Sequence, residues 1–396
     1  MFDSVFIGMS GLQSFSRGLK VISNNVANMN TAGFKATNLS FSDMVYQQGG
    51  VSFGSAAGTG ARFGSGVATL GTHIDFAPGE SRQTGNPLDM SIAGDGFFVT
   101  QDSKTGDRVY TRVGQFDFDD EGFLIQRGTD RRVLGYSSEG SLSPVTISAL
   151  RSNAPQATAR VEFVGNLSST ATTFSIPSLR LRDATGGEHT VRLDFAPKSG
   201  QPGVWTVKSV DGTVEAALGE IKFTDGKPDS GNTLTLRVAK AGVAPFDVSL
   251  DLSKNITSFA AGTSSTLSVD SVDGSVAGTL SAVSFDTSGV MTVRYTNGQD
   301  AKGAQLALAR FASTDGLEQV AGGGFVARDD KAAQIGRPGG SGFGELASNQ
   351  VESSNVDLSA EFSELIIMQR GYQASSQIVS TANDMLRQLF DMKGRG

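Results

Sequence analysis

The chain reads as a mainly β protein strung between long α-helices, one at each end. Three observations predict this. Near the N-terminus Leu12, Phe15, Leu19, Ile22, Val26 and Met29 recur in alternating steps of three and four. Near the C-terminus Leu358, Leu365, Tyr372, Val379 and Leu386 recur every seven, and Met368, Ala382 and Leu389 fill the second position of that repeat. The residues between are rich in Gly, Thr, Ser and Val and alternate with period two, the mark of half-buried strands. A 3.5-residue repeat is the seam of a coiled coil, so the ends are expected to pack together and to carry an assembly interface. An intramolecular helical hairpin is the plainer reading of the same residues. A β-rich body with a helical seam at each extreme suggests a subunit that polymerises through its ends and faces outward with its middle.

Residues 2–29 read as an amphipathic helix. Gly8, Gly11 and Gly18 weaken it, each by about 1 kcal/mol against Ala, so alone in water it needs a partner. Gly33 is its expected stop. Residues 47–71 hold eight glycines and read as a linker or extended arm. From about residue 86 the pattern turns to hairpins. Leu88, Met90 and Ile92 alternate, Gly94-Asp95-Gly96 turns, and Phe97-Phe98-Val99 follows. Residues 150–279 form a separate run of alternating strands, among them Val191, Leu193 and Phe195, spaced as in a sandwich or barrel. Residues 280–346 return to hairpins and end in a second Gly-rich link at 336–344. The C-terminal helix is expected from Leu358, with Asp357 as its N-cap. Run to Leu389, it would be roughly 48 Å long.

The order implies nested domains. Residues 1–46 and 347–396 form a terminal helical domain, and 47–85 an arm. Residues 86–149 and 280–346 form an inner β-domain into which 150–279 is inserted.

At 396 residues the chain can build more than one core. Its 50 glycines, about one residue in eight, suit many turns and short strands. A net charge of −7 leaves no electrostatic footprint for nucleic acid. No apolar run approaches the roughly 18 residues of a membrane span, so membrane insertion is not expected. The absence of cysteine removes disulfides, thiolate catalysis and cysteine metal sites together. Asp3 and the lack of a basic lead into an apolar stretch argue against a cleavable signal peptide.

Site chemistry is sparse. His73 and His189 are the only histidines, and neither sits near a nucleophile motif. Asp117, Asp119, Glu121 and Gly122 match the first half of a calcium loop, but Gly128 stands where its glutamate belongs. A hairpin turn is the simpler reading. No catalytic, cofactor or metal residue is expected, and the protein is not expected to be an enzyme.

Several stretches carry a family resemblance. NNVANMNTAGFK (24–35) with FSDM (41–44) resembles the N-terminal signature of flagellar axial proteins, the rod, hook and hook-associated subunits. TGNPLDMSIAGDGFFVT (84–100) and YTRVGQFDFDDEGFLI (110–125) look like the hairpins shared by rod and hook proteins. SNVDLSAEFSELIIMQRGYQASSQIVSTANDML (354–386) resembles their C-terminal helix. The likeness covers about 1–145 and 280–396, and the large insert with GELASNQVESSNVDLS (344–359) points to the hook branch. Phe2 to Gly18 is more aromatic and Gly-rich than that pattern. The resemblance implies a subunit of a hollow, flexible tube that transmits torque from rod to filament. It implies self-association through the terminal helices, and contacts with rod, hook cap and hook–filament junction proteins. It also implies delivery outside the cell by the flagellar type III export apparatus. A distal rod subunit is the alternative, and a β-rich adhesin a more distant one.

Overall fold

The computed structural model describes residues 2–44, 46–48, 62–212, 214–229, 232–239, 244–329 and 332–393. Helix α1 spans Phe2–Ala27 and helix α2 spans Leu358–Lys393. The 36 residues of α2 make it about 54 Å long. Asp357 caps it as its sequence suggests: Oδ1 accepts from Ser359 N at 2.8 Å and Ala360 N at 3.2 Å. Past α1 the chain turns through Asn28 to Gly33, whose φ of +67° is open to glycine. Between the helices the described residues are mostly strand and turn, with a 3₁₀ turn at Ser148–Leu150.

The chain divides into two compact units. The first comprises residues 1–148, 283–292 and 302–396. After the Gly33 turn, strand Thr37–Asp43 pairs antiparallel with Val67–Ile74, with a register shift between Ser40 and Phe41. Tyr46–Gln48 pairs with Arg62–Gly64. The stretch 47–71, expected as a linking arm, therefore ends in a paired strand; residues 49–61 lie outside the described residues. Strand Phe97–Asp102 is central to the β-body that follows. It pairs with Arg108–Thr111, Arg131–Tyr136 and Leu308–Phe311. The Gly94-Asp95-Gly96 turn ahead of it uses φ of +111° and +136°, which only glycine adopts without strain. Aromatic rings fill this core at tilted and edge-on angles: Phe97 lies 5.8 Å from Phe311 and 5.9 Å from Phe325, and Tyr110 lies 4.9 Å from Phe311. The Asp119–Phe123 turn uses its carboxylate locally, Asp119 Oδ1 accepting from Phe123 N at 2.7 Å. That is turn chemistry, as its missing glutamate implied.

The second unit comprises residues 149–282 and 293–301. Val293–Ala301, assigned by sequence to the inner β-domain, thus groups with the outer one. Two sheets face each other across one core. One contains Phe174–Arg182, Glu188–Pro197, Val204–Asp211 and Val214–Thr224, paired in succession. The other is mixed: Arg160–Asn166 runs parallel to Phe246–Asp251 and antiparallel to Ser268–Val272. Alternate residues of both sheets, including Phe163, Leu193, Phe195, Trp205, Leu236 and Leu250, are almost wholly buried.

Candidate assembly interface

Within the first unit α1 and α2 pack antiparallel. Gly8 faces Ser375 and Val379, Gly11 faces Ser375, Gly18 faces Met368, and Gly371 faces the Phe15 ring. The approach is close enough to need those glycines. A Cβ on Gly8 would lie 2.7 Å from Val379 Cγ2; on Gly11, 2.6 Å from Ser375 Oγ; on Gly371, 2.6 Å from the Phe15 ring. The seam itself is thus lined by small residues, with the apolar residues flanking it. Ile22 and Ala382 are buried. Leu12, Phe15, Leu19, Val26, Leu358, Leu365, Met368, Val379 and Leu386 are half-buried.

Three residues of the predicted repeat fall outside this intramolecular seam. Tyr372 is exposed because Gly371 takes the place opposite Phe15. Leu389 is exposed because pairing Gly8 with Val379 brings the start of α1 opposite about residue 385, leaving the last turns of α2 unopposed. Met29 lies past the end of α1 and is also exposed. Conversely, Gly8, Gly11, Ser14, Gly18, Asn25, Glu361 and Ser375 are buried positions that an apolar periodicity cannot find.

The paired strands beside α1 cover another of its faces. Val67 N donates to Ser10 Oγ at 3.2 Å, Arg17 Nη1 to Thr69 Oγ1 at 2.5 Å, and Phe15 packs on Phe41 with ring centroids 6.1 Å apart. Asn25 is the polar pin of the arrangement. Its Nδ2 donates to Thr37 O at 2.9 Å and to Glu361 Oε1 at 2.7 Å, while Oδ1 accepts from Thr37 N at 3.0 Å. Burial raises the Glu361 carboxyl above its usual range, the Asn25 bond opposes that, and the Glu364 and Asp357 charges add to it.

Below the helices a buried ionic clasp ties five chain segments. Glu352 Oε1 accepts from Lys35 Nζ at 2.6 Å and Gly79 N at 2.9 Å. Its Oε2 accepts from Arg112 Nη1 at 3.2 Å, and its backbone carbonyl from Gly33 N at 2.8 Å. Arg112 Nη2 reaches Gly94 O at 2.9 Å, and Lys35 Nζ also reaches Ala77 O at 2.7 Å. All three charged side chains are at least nine-tenths buried. Burial pulls the Lys35 amine below its ordinary value, and the hydrogen bond it donates to Glu352 resists that fall. Asn355 adds a second tie, accepting from Ala36 N at 2.8 Å and donating to Asp75 O at 2.8 Å.

Much apolar surface stays uncovered on the helices. Phe6, Ile7 and Met9 on α1 are exposed, as are Phe362, Ile366, Ile367, Ile378, Met385, Leu389, Phe390 and Met392 on α2. Phe390 is 71% exposed. Phe6, Met9 and Met44 share a groove of about 500 Å³ between α1 and the strand beginning at Val67.

Neither histidine meets catalytic company. His73 Nδ1 lies 3.9 Å from the exposed Asp315 carboxylate. His189 Nε2 lies 2.7 Å from Asp183 Oδ2, buried within the second unit. Hydrogen bonds from Thr185 and His189 hold the Asp183 carboxyl well below the usual range. Asp183 also accepts from Gly187 N, so this pair locks a hairpin turn.

The two helical ends pack together and leave large apolar side chains exposed. Comparison with known proteins gives three family matches. The profile of flagellar basal body rod proteins matches residues 7–35, the FlgE/F/G D1 domain of flagellar hook proteins matches 91–153, and the C-terminal domain of flagellar basal body rod FlgEFG proteins matches 347–392. All three matches are to domains of flagellar rod and hook proteins. It is 29% identical to the flagellar hook protein FlgE of Treponema pallidum, over 99% of this chain and 100% of that protein. It is 29% identical to FlgE of Salmonella typhimurium and 28% to FlgE of Escherichia coli, each over 97% of this chain and 98% of the relative. The crystal structure of a Helicobacter pylori flagellar hook protein superposes with a TM-score of 0.51 at 14% identity, covering 70% of this chain and all of that one, which supports the fold. Matches at both ends and in the β-body coincide with the stretches that carried the resemblance in sequence.

Proposed function

We infer that the chain is the structural subunit of the bacterial flagellar hook, polymerising through its terminal helices into a hollow flexible tube. One observation carries most of the weight: hook proteins align with it over nearly their whole length and nearly all of its own, the large inserted domain included. A rod subunit of the shorter kind has no counterpart for that insert. The exposed apolar residues of α1 and α2 support self-association, because a lone subunit leaves them in water. In this reading Leu12, Phe15, Leu19, Ile22, Val26, Leu358, Leu365, Met368, Val379 and Leu386 build the helix pair. Met29, Tyr372 and Leu389, open on the single chain, are covered by neighbouring copies. The subunit works outside the cell, is exported by the flagellar type III apparatus, and meets rod, hook cap and hook–filament junction proteins. It has no catalytic activity.

Two experiments test this. Deleting the gene and imaging purified basal bodies by electron microscopy should give complete rods without hook or filament. Truncated rods would move the subunit to the rod, and normal flagella would overturn the assignment. Leu365→Asp or Leu19→Asp should block polymerisation while the β-units stay folded by circular dichroism, and hooks of normal length from either variant would refute the helical interface.

A further inference from the structure

The methionines are distributed unevenly. Of nine, eight lie among the described residues. Met90 and Met291 are completely buried in β-structure. Met368 is half-buried in the helix pair, its Sδ facing Gly18. The other five, Met9, Met29, Met44, Met385 and Met392, are 36–75% exposed. Met9, Met385 and Met392 lie on the helices, Met29 just past α1, and Met44 just past the strand Thr37–Asp43 that pairs beside α1. Met9 and Met44 share the groove with Phe6. Met385 and Met392 stand seven residues apart on α2, with Leu389 between them, so they follow one face of the helix. The chain has no cysteine, so no thiol competes for an oxidant and thioethers are its only reduced sulfur.

We propose that Met9, Met29, Met44, Met385 and Met392 are oxidation sites that switch off assembly of the free subunit. The inference rests on the helical polymerisation proposed above. The co-reactant is a two-electron oxidant such as hydrogen peroxide. The thioether lone pair attacks one peroxide oxygen, the O–O bond breaks, an S–O bond forms, and the remaining oxygen takes up a proton and leaves as water. Sulfur is oxidised from sulfide to sulfoxide and peroxide is reduced. The product replaces a flexible apolar side chain by a polar one. On a surface meant to be buried against another copy, each sulfoxide oxygen must be desolvated without a designed donor. Subunits already assembled have these groups covered and escape. Sulfoxide reductases reverse the change, so it acts as a switch on unassembled chains.

The test uses the purified full-length chain. Untreated protein is first shown to polymerise by sedimentation and electron microscopy. A second sample is treated with hydrogen peroxide, and sulfoxide is located by peptide mass spectrometry. The five exposed methionines should oxidise first, with Met90 and Met291 protected, and polymer yield should fall at least tenfold. Treatment with both epimer-specific sulfoxide reductases should restore it. The variant carrying Met9→Leu, Met29→Leu, Met44→Leu, Met385→Leu and Met392→Leu, each change conserving volume, is compared with its own untreated sample. Its yield should be indifferent to peroxide. Oxidised wild-type chain that polymerises normally would overturn the switch and leave the polymer reading standing. So would equal peroxide sensitivity in the leucine variant. Untreated chain that stays monomeric at every concentration would overturn both.

Discussion

The inserted β-sandwich and the terminal helix pair handle apolar surface in opposite ways. In the sandwich, Trp205, Phe195, Leu193 and their neighbours from two sheets close over one another and are almost wholly buried, and only scattered apolar residues such as Val214 and Phe259 stay exposed. In the helix pair the closest contacts are made by Gly8, Gly11, Gly18, Gly371 and Ser375, and large side chains such as Phe6, Ile367 and Phe390 point outward. The sandwich satisfies its own hydrophobic demand, and the helix pair satisfies only part of its own. The difference is why the proposed association is assigned to the helices, the element that folding of one copy leaves unfinished.

The sharpest way to break this comparison is to truncate one large apolar side chain in each region. Trp205→Ala should cost the sandwich about 3–5 kcal/mol, seen as a lowered melting transition. Phe390→Ser should shift monomer stability by no more than about 0.5 kcal/mol, as surface changes do, while clearly reducing polymer yield. A large loss of monomer stability from Phe390→Ser would mean that α2 is already finished within one copy.

The clasp supplies the next effect. Glu352→Gln leaves Lys35 and Arg112 buried without their anion, and breaking a buried pair in this way costs about 3 kcal/mol or more. The loss should appear in hydrogen exchange as reduced protection of Gly33, Ala36 and Gly79 amides, while the sandwich amides are unchanged. Lys35→Met alone should be less severe, because Glu352 keeps Arg112 and the Gly79 amide. Equal protection in wild type and Glu352→Gln would show that the ties through Asn355 hold the segments unaided.

Sequence alone carried the outline unevenly, for physical reasons. Both helices, the Asp357 cap, the Gly94–Gly96 turn and the alternating strands were legible because each is a local signal: a period, a cap or a left-handed glycine. Gly8, Gly11 and Gly18 were legible only as defects. Their low propensity is a property of the isolated helix, whereas their benefit, close approach of α2, exists only after residues 368–379 arrive. Lys35, Arg112 and Glu352 gave no signal because a single buried charge in each of three distant segments has no periodicity. A lysine beside Phe34 and Ala36, or a glutamate beside Val351, reads as an ordinary amphipathic position. The parallel pairing of Arg160–Asn166 with Phe246–Asp251 was likewise hidden, since alternation fixes faces and not partners.

The glycine seam can be tested by compensation. Gly11→Ala places a methyl where 2.6 Å separates the new carbon from Ser375 Oγ, so overpacking should cost about 1–2 kcal/mol despite the better helix propensity. Ser375→Gly removes the obstructing side chain at a propensity cost of roughly 0.5 kcal/mol. The double variant should recover most of the loss, and the coupling measured by a thermodynamic cycle should be favourable. Additive losses would show that the helices shift apart easily, and that close approach is incidental to the pair.

The smallest expected effect lies at Glu361, and it carries a definite sign. Its folded carboxyl is raised by burial and by Glu364 and Asp357, with Asn25 acting against them. A carboxyl raised in this way binds its proton more tightly folded than unfolded. Its contribution is fully favourable below the unfolded value and is lost as pH rises through the folded value. The helix pair should therefore tighten on mild acidification from neutral pH, within the range where other carboxylates still keep their charge. Glu361→Gln removes the ionisation while an amide oxygen can still accept from Asn25 Nδ2. The variant should be slightly more stable than wild type at neutral pH, and its helix-pair stability should lose this pH dependence. Asp183 gives the opposite sign in the sandwich. Its depressed carboxyl contributes above the unfolded value and is lost as pH falls through the folded one. Hydrogen exchange followed through the acid range should thus show helix amides gaining protection before sandwich amides lose it. A common response of both sets of amides would mean that Glu361 is too well hydrated to set the helix pair apart from the sandwich.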